Sequence, residues 1–226
     1  MRKADRKQLL IYIRKFFSGP VFTRQKLAAA KRYLGYLFSM LYEKINGLDY
    51  TMIYYTRDEN NPHNSSYSKA PNHVLKRIFN DISYSPQKSF IDIGCGKGYV
   101  VRKAYKYPFD KIGGMEYTES LYRTCCRNLK TEGLDSSYIT NCDARDFKDY
   151  EKFNIYFMNN PFDETILREV AKKMYAAHPE DECMIYYLNP CYQKRHEAIL
   201  AAGFRLIRQI PDKYEGYFLV NVYSNQ

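Results

Sequence analysis

Ser89-Phe90-Ile91-Asp92-Ile93-Gly94-Cys95-Gly96-Lys97-Gly98-Tyr99 is the stretch on which the fold turns. Its first half is a short apolar run, the pattern of a buried strand. Its second half puts glycine at 94, 96 and 98, so the backbone can bend sharply and approach a ligand closely. A helix opening at Gly98 then presents free N–H groups at the turn. A dinucleotide fingerprint would need glycine at 99, where Tyr99 stands, and a P-loop would need Ser or Thr after its lysine, where Gly98 follows Lys97. Hydride transfer and phosphoryl transfer both lose ground.

Outward from this turn the chain alternates between strand and helix patterns. The sequence predicts helix 72–81, strand 89–94, helix 98–106, strand 111–117, helix 119–132 and strands 137–142 and 152–158. Helix 163–177, strand 183–189, helix 192–202 and strands 204–210 and 217–223 follow. Such alternation requires right-handed crossovers and a mainly parallel sheet with helices on both faces. The last two strands are joined by Pro211-Asp212-Lys213-Tyr214-Glu215-Gly216, too short for a crossover helix, so they are expected to form an antiparallel hairpin. The expected fold is therefore α/β, a doubly wound, mainly parallel seven-stranded sheet ending in that hairpin and preceded by a helical extension.

The extension covers residues 1–60 and the α/β domain residues 61–226. Within the extension, Leu9, Leu10, Ile13, Phe16 and Phe17 lie at helical spacing over 7–17, until Ser18-Gly19-Pro20 stops the pattern. A longer helix starts with Thr23 as N-cap and ends at Asn46-Gly47. Thr56 to Pro71 is polar, holds two prolines and reads as a loop.

The chain has 226 residues and a formal net charge of +10. Residues 1–32 hold ten Lys or Arg against one acid, Asp5, so they carry +9 and the rest is close to neutral. This basic arm could grip nucleic-acid phosphates or rest on an anionic membrane surface; the alternative is a helical pair packed on the domain with its charges in water. No apolar run approaches the roughly 20 residues that span a bilayer, and a cytoplasmic location is expected. The six cysteines include no C-x-x-C pair and the four histidines form no cluster, so free thiols and no metal are expected.

The glycine stretch resembles motif I of the class I S-adenosylmethionine (SAM)-dependent methyltransferases, in which an acid two residues before the first glycine helps hold the methionine moiety. Further motifs recur in order. Lys111-Ile112-Gly113-Gly114-Met115-Glu116-Tyr117 ends a second strand in a carboxylate suited to the ribose hydroxyls, with Tyr117 beside it to pack on adenine. Asn141-Cys142-Asp143-Ala144 resembles the family's third motif, which gives Asp143 and Ala144 to the adenine ring. Met158-Asn159-Asn160-Pro161-Phe162 resembles the [DN]-P-P-[FY] signature of enzymes that methylate planar nitrogens, with Asn160 in place of the first proline.

The resemblance extends to the Asn-Asn-Phe-x-Phe segment of non-SET histone-lysine methyltransferases. It extends further to uncharacterised small bacterial methyltransferases with Gly-Lys-Gly in motif I and Phe-Asn-Pro-Phe in motif IV. These neighbours agree on the cofactor and differ on the acceptor. The resemblance implies SAM as cofactor and S-adenosylhomocysteine as product. Asp92, Gly94, Cys95, Gly96, Gly98, Glu116, Tyr117, Asp143, Ala144 and, from a lid before the domain, Tyr67 are the expected cofactor residues. Asn159, Asn160, Pro161 and Phe162 are the expected catalytic residues. Three functions stay open: N-methylation of a protein side chain or small amine, methylation of RNA or DNA with the basic arm as grip, and SAM binding without turnover.

Overall fold

The apolar run before the glycine turn is a strand, β1 (Phe90–Ile93), and all four of its residues are buried. A computed structural model supplies the coordinates and describes residues 24–54, 66–189, 193–211 and 219–226. The predicted helix over 7–17 and the Thr23 cap lie outside these residues. The described chain divides into two compact units, one ending at Met52 and the other beginning at Ile53.

In the first unit, α1 (Arg24–Ile45) ends where the sequence expects it. Gly47 takes a φ of 70°, which terminates the helix. The chain beyond it is tied back by Glu43, whose carboxylate accepts the backbone N–H groups of Tyr50 at 2.9 Å and Thr51 at 2.8 Å.

The second unit begins with α2 (Asn72–Asp81), which presents Val74, Leu75, Ile78 and Phe79 at helical spacing. After β1 come α3 (Tyr99–Ala104), β2 (Ile112–Glu116), α4 (Glu119–Thr131) and β3 (Ile139–Asn141). Then follow β4 (Ile155–Met158), α5 (Glu164–Ala176), β5 (Met184–Leu188), α6 (Gln193–Leu200), β6 (Arg205–Pro211) and β7 (Leu219–Ser224). The strands form one sheet in the order β3-β2-β1-β4-β5-β7-β6. The first five are parallel, and β7 pairs antiparallel with both β5 and β6.

Alternate strand residues point to opposite faces of the sheet, and each face has its own core. On one, Ile91, Ile93, Tyr156 and Tyr187 pack with Leu167, Val170 and Met174 of α5. On the other, Phe90 meets Phe79 of α2 at 5.5 Å between ring centroids, and Phe79 stacks on Tyr107 at 4.6 Å. Asp163 caps α5 by accepting the N–H groups of Thr165 and Ile166 at 3.0 and 3.3 Å.

One predicted strand is shorter than its apolar pattern. The run 152–158 becomes strand only from Ile155, because Tyr150–Lys152 forms a 3-10 turn. The Tyr150 hydroxyl donates to the Ala144 carbonyl at 2.7 Å, which holds that turn inward. The order in which the chain winds across the sheet reverses between the parallel neighbours β1 and β4, and the connections leaving their carboxyl ends run to opposite sides and open a crevice there.

Candidate active site

The crevice is a cavity of about 870 Å³, counting its open mouth, and it lies at the carboxyl ends of β1, β2, β3 and β4. Of the residues expected from sequence, it is lined by Tyr67, Asp92, Gly94, Cys95, Gly96, Glu116, Tyr117, Asp143, Ala144, Asn159, Pro161 and Phe162. Gly98 and Asn160 lie outside the lining.

The glycine turn owes its shape to two close approaches. Gly94 has a φ of 77°, and a Cβ there would stand 2.6 Å from the Pro161 side chain. Gly96 has a φ of 54°, and a Cβ there would fall 2.1 Å from the Tyr67 ring. Only glycine satisfies both the backbone and the space. Gly98 instead packs against Cys125, whose Sγ would be 2.5 Å from an added Cβ. Gly98 therefore fits the turn to α4 and does not face the cavity. The Sγ atoms of Cys95 and Cys125 stand 4.0 Å apart, well beyond the length of a disulfide.

Glu116, the last residue of β2, joins two loops. Its Oε2 accepts the Gly96 N–H and its Oε1 the Thr118 N–H, each at 2.8 Å. The Thr118 side chain and the Tyr117 N–H also donate to this carboxylate, so only part of its acceptor capacity is left for hydroxyls from the cavity. Burial raises the Glu116 carboxyl above its usual range, and these N–H groups pull it part of the way back. Asp92 is raised well above the usual carboxylate range, first by burial and then by the neighbouring Glu116. Two buried carboxylates so placed favour a cationic or hydroxyl-rich ligand between them.

Asp143 is held differently. Arg145 donates to it through the backbone N–H at 2.8 Å, Nε at 3.1 Å and Nη2 at 2.8 Å, and this pairing lowers the carboxyl below its usual range. Asn141 fixes the preceding strand end by donating to the Glu116 carbonyl at 2.7 Å and the Tyr117 carbonyl at 3.0 Å.

On the far wall, Asn159 lines the cavity with long, weak contacts. Its Nδ2 donates to the Ser68 carbonyl at 3.4 Å and its Oδ1 accepts from Asn189 at 3.5 Å. Asn160 turns away. Its Oδ1 accepts the Tyr187 hydroxyl at 3.0 Å and a guanidinium N–H of Arg195. Its φ of 52° is left-handed, a region that Asn enters more readily than other residues with a Cβ. Sequence reading missed Asn141, Arg145, Tyr187, Asn189 and Arg195. A usable signal was the repeat of Asn-Pro at two strand ends, Asn160-Pro161 and Asn189-Pro190.

Among solved structures the chain is similar to ribosomal protein L11 methylase of Lactobacillus delbrueckii subsp. bulgaricus. Identity is 13%, the TM-score is 0.53, and the match covers 66% of this chain and 76% of that one. It is similar to the PH0226 protein of Pyrococcus horikoshii OT3 at 14% identity and a TM-score of 0.54, over 68% of this chain and 88% of that one. A third, Sp1610 of Streptococcus pneumoniae, is described as a candidate tRNA methyltransferase and matches at 13% identity and a TM-score of 0.52, over 68% and 70% of the two chains.

The fold is that of the class I methyltransferases. At these identities the likeness is one of fold alone. No family model and no curated protein matches the sequence. The methyltransferase fold places its cavity at the β1-β4 switch, as the sheet order requires. Among the described residues no helix is long and apolar enough to cross a membrane.

Proposed function

We propose that this chain is a SAM-dependent methyltransferase that methylates a nitrogen on a protein side chain or a small amine in the cytoplasm. One observation carries the reading: a single cavity gathers Asp92, Glu116, Asp143 and Asn159 from the carboxyl ends of four adjacent parallel strands. The residues fit the cofactor. Gly94, Cys95 and Gly96 line the cavity, the two glycines let the turn pass close to Pro161 and Tyr67, and buried Asp92 suits an ammonium group. Glu116 would take the ribose hydroxyls, Tyr117 would cover the adenine, and Asp143 with the Ala144 N–H would read its edge.

When bound, SAM supplies a methyl group already activated by its sulfonium. The protein's work is then alignment and exclusion of water. Asn159 would accept a hydrogen bond from the acceptor nitrogen and turn its lone pair toward the cavity, while Pro161 and Phe162 wall off solvent. Tyr67, seated on Gly96, covers the turn from the other side.

Calorimetric titration with SAM, followed by mass spectrometry of amine, protein and nucleic-acid acceptor pools, tests the proposal. Saturable binding and a methylated nitrogen are expected. Failure to bind SAM refutes the cofactor assignment. Product on RNA or DNA refutes the acceptor assignment, and binding without product on any pool leaves a SAM-binding protein that does not turn over.

A further inference from the structure

We infer that Tyr187 and Arg195 are positioning residues which, by gripping the side chain of Asn160, fix the wall that carries Asn159 and Phe162. The inference rests on the methyltransferase reading of the cavity and goes beyond it to residues that do not line it.

The wall is an awkward piece of chain. A residue before proline favours extended backbone, yet Asn160 precedes Pro161 with a φ of 52°. Strained backbone persists only where surrounding groups determine it, and here the groups can be named. The Asn160 Oδ1 has two acceptor positions, and both are filled, one by the Tyr187 hydroxyl at 3.0 Å and the other by Arg195. Tyr187 is fully buried and Arg195 is 9% exposed. Burying a guanidinium is unfavourable unless its hydrogen bonds return the loss, so a side chain that reaches back from α6 to this loop has a specific partner there.

The two asparagines are held in opposite ways. Asn160 is bound firmly and faces inward, so its side chain is not an acceptor for substrate. Asn159 faces the cavity through contacts of 3.4 and 3.5 Å, and its amide is free to exchange them for a ligand. Pro161 completes the arrangement by abutting Gly94, which sets the distance between the acceptor wall and the glycine turn. A firm anchor one residue from an adjustable contact is the arrangement expected where a side chain must meet an incoming atom.

The test uses the full chain and SAM labelled with carbon-13 at the methyl group, so no acceptor is needed. The variants are Tyr187→Phe, Arg195→Lys and Asn160→Gly, the last of which accepts the positive φ but removes the gripped side chain. Each should bind SAM with an affinity within about twofold of the parent, since none lines the cavity. The methyl resonance of the bound cofactor should shift or broaden in all three. Tyr187→Phe should add nothing on the Asn160→Gly background, because Asn160→Gly has already removed the Tyr187 hydrogen bond along with that of Arg195.

An unmoved resonance in Tyr187→Phe and Asn160→Gly overturns the inference, as does a loss of SAM affinity that follows a loss of thermal stability. If Arg195→Lys does not fold, the single-hydroxyl change in Tyr187→Phe decides. Absence of any bound resonance in the parent protein is a separate result: it removes the cofactor reading itself and this inference with it.

Discussion

Glu116→Ala is the substitution that tests the cofactor site most directly. The carboxylate holds the Gly96 and Thr118 N–H groups at 2.8 Å, and two ribose hydroxyls would take up its remaining acceptor capacity. Hydrogen bonds to a charged group contribute about 1.5–3 kcal/mol each, so the pair is worth about 3–6 kcal/mol before offsets. Two offsets apply. Truncation removes a carboxylate that burial already disfavours, as its raised pKa records, and it lets water reach the hydroxyls. The net loss in SAM affinity should be about 1–3 kcal/mol, about 5- to 150-fold in Kd.

Glu116→Gln keeps the volume but accepts at one atom only, so either Gly96 or Thr118 faces a second donor. It should bind SAM at least about fivefold more weakly than the parent. Isothermal titration with SAM and with S-adenosylhomocysteine measures both variants, and thermal unfolding checks that they fold. Both ligands should lose affinity together, because the ribose is common to them. A Kd within about twofold of the parent in both variants would refute the assignment of the ribose to this carboxylate.

Three further outcomes are expected. Gly94→Ala places a methyl group 2.6 Å from the rigid Pro161 ring at a φ of 77°, and should lower stability by about 2–5 kcal/mol and weaken SAM binding, read by denaturant unfolding and titration. Asp92 is raised well above the usual carboxylate range by burial and Glu116, so the folded protein holds a proton that the unfolded chain has already released. Through this group, stability should fall as pH rises from the ordinary carboxylate pKa to the raised one. An ammonium beside Asp92 favours its charged form, so SAM binding across that window should release a proton and tighten as pH rises. Titration enthalpies that do not change with the ionisation heat of the buffer would contradict this. Asp163→Ala removes the α5 cap and should cost about 1 kcal/mol, read by thermal unfolding.

The fold was legible because its signals are local. Phe90 to Ile93 is an apolar run beside a glycine turn, and α5 repeats its buried residues at helical spacing, so strand and helix follow from neighbours in sequence. The placement of β7 between β5 and β6 was not legible, since a short linker states that two strands form a hairpin and leaves open which of them meets the sheet. The strand expected from 152 starts only at Ile155, after a 3-10 turn at Tyr150–Lys152 whose Tyr150 hydroxyl bonds a carbonyl six residues earlier, which periodicity does not record.

The site divides in the same way. Asp92, Glu116, Asp143 and Asn159 could be named because each ends a strand, and strand ends converge. Tyr187 lies in the buried strand of Met184 to Leu188 and reads as core. Arg195 lies on a mostly polar helix and reads as solvated. Their role depends on reaching Asn160 across 27 and 35 residues of chain, a relation that only the adjacency of β4 and β5 creates.

The position of β7 has a consequence for how the protein must assemble. Because it is enclosed by a strand that precedes it, the rim of β5 stays open, with Met184 to Leu188 unpaired on one side, until residues 219–224 dock. An open apolar rim is a template for other chains, so partly folded molecules should associate through it. A soluble peptide spanning residues 219–226, added during refolding, should compete for that rim and raise the yield of monomer at low dose.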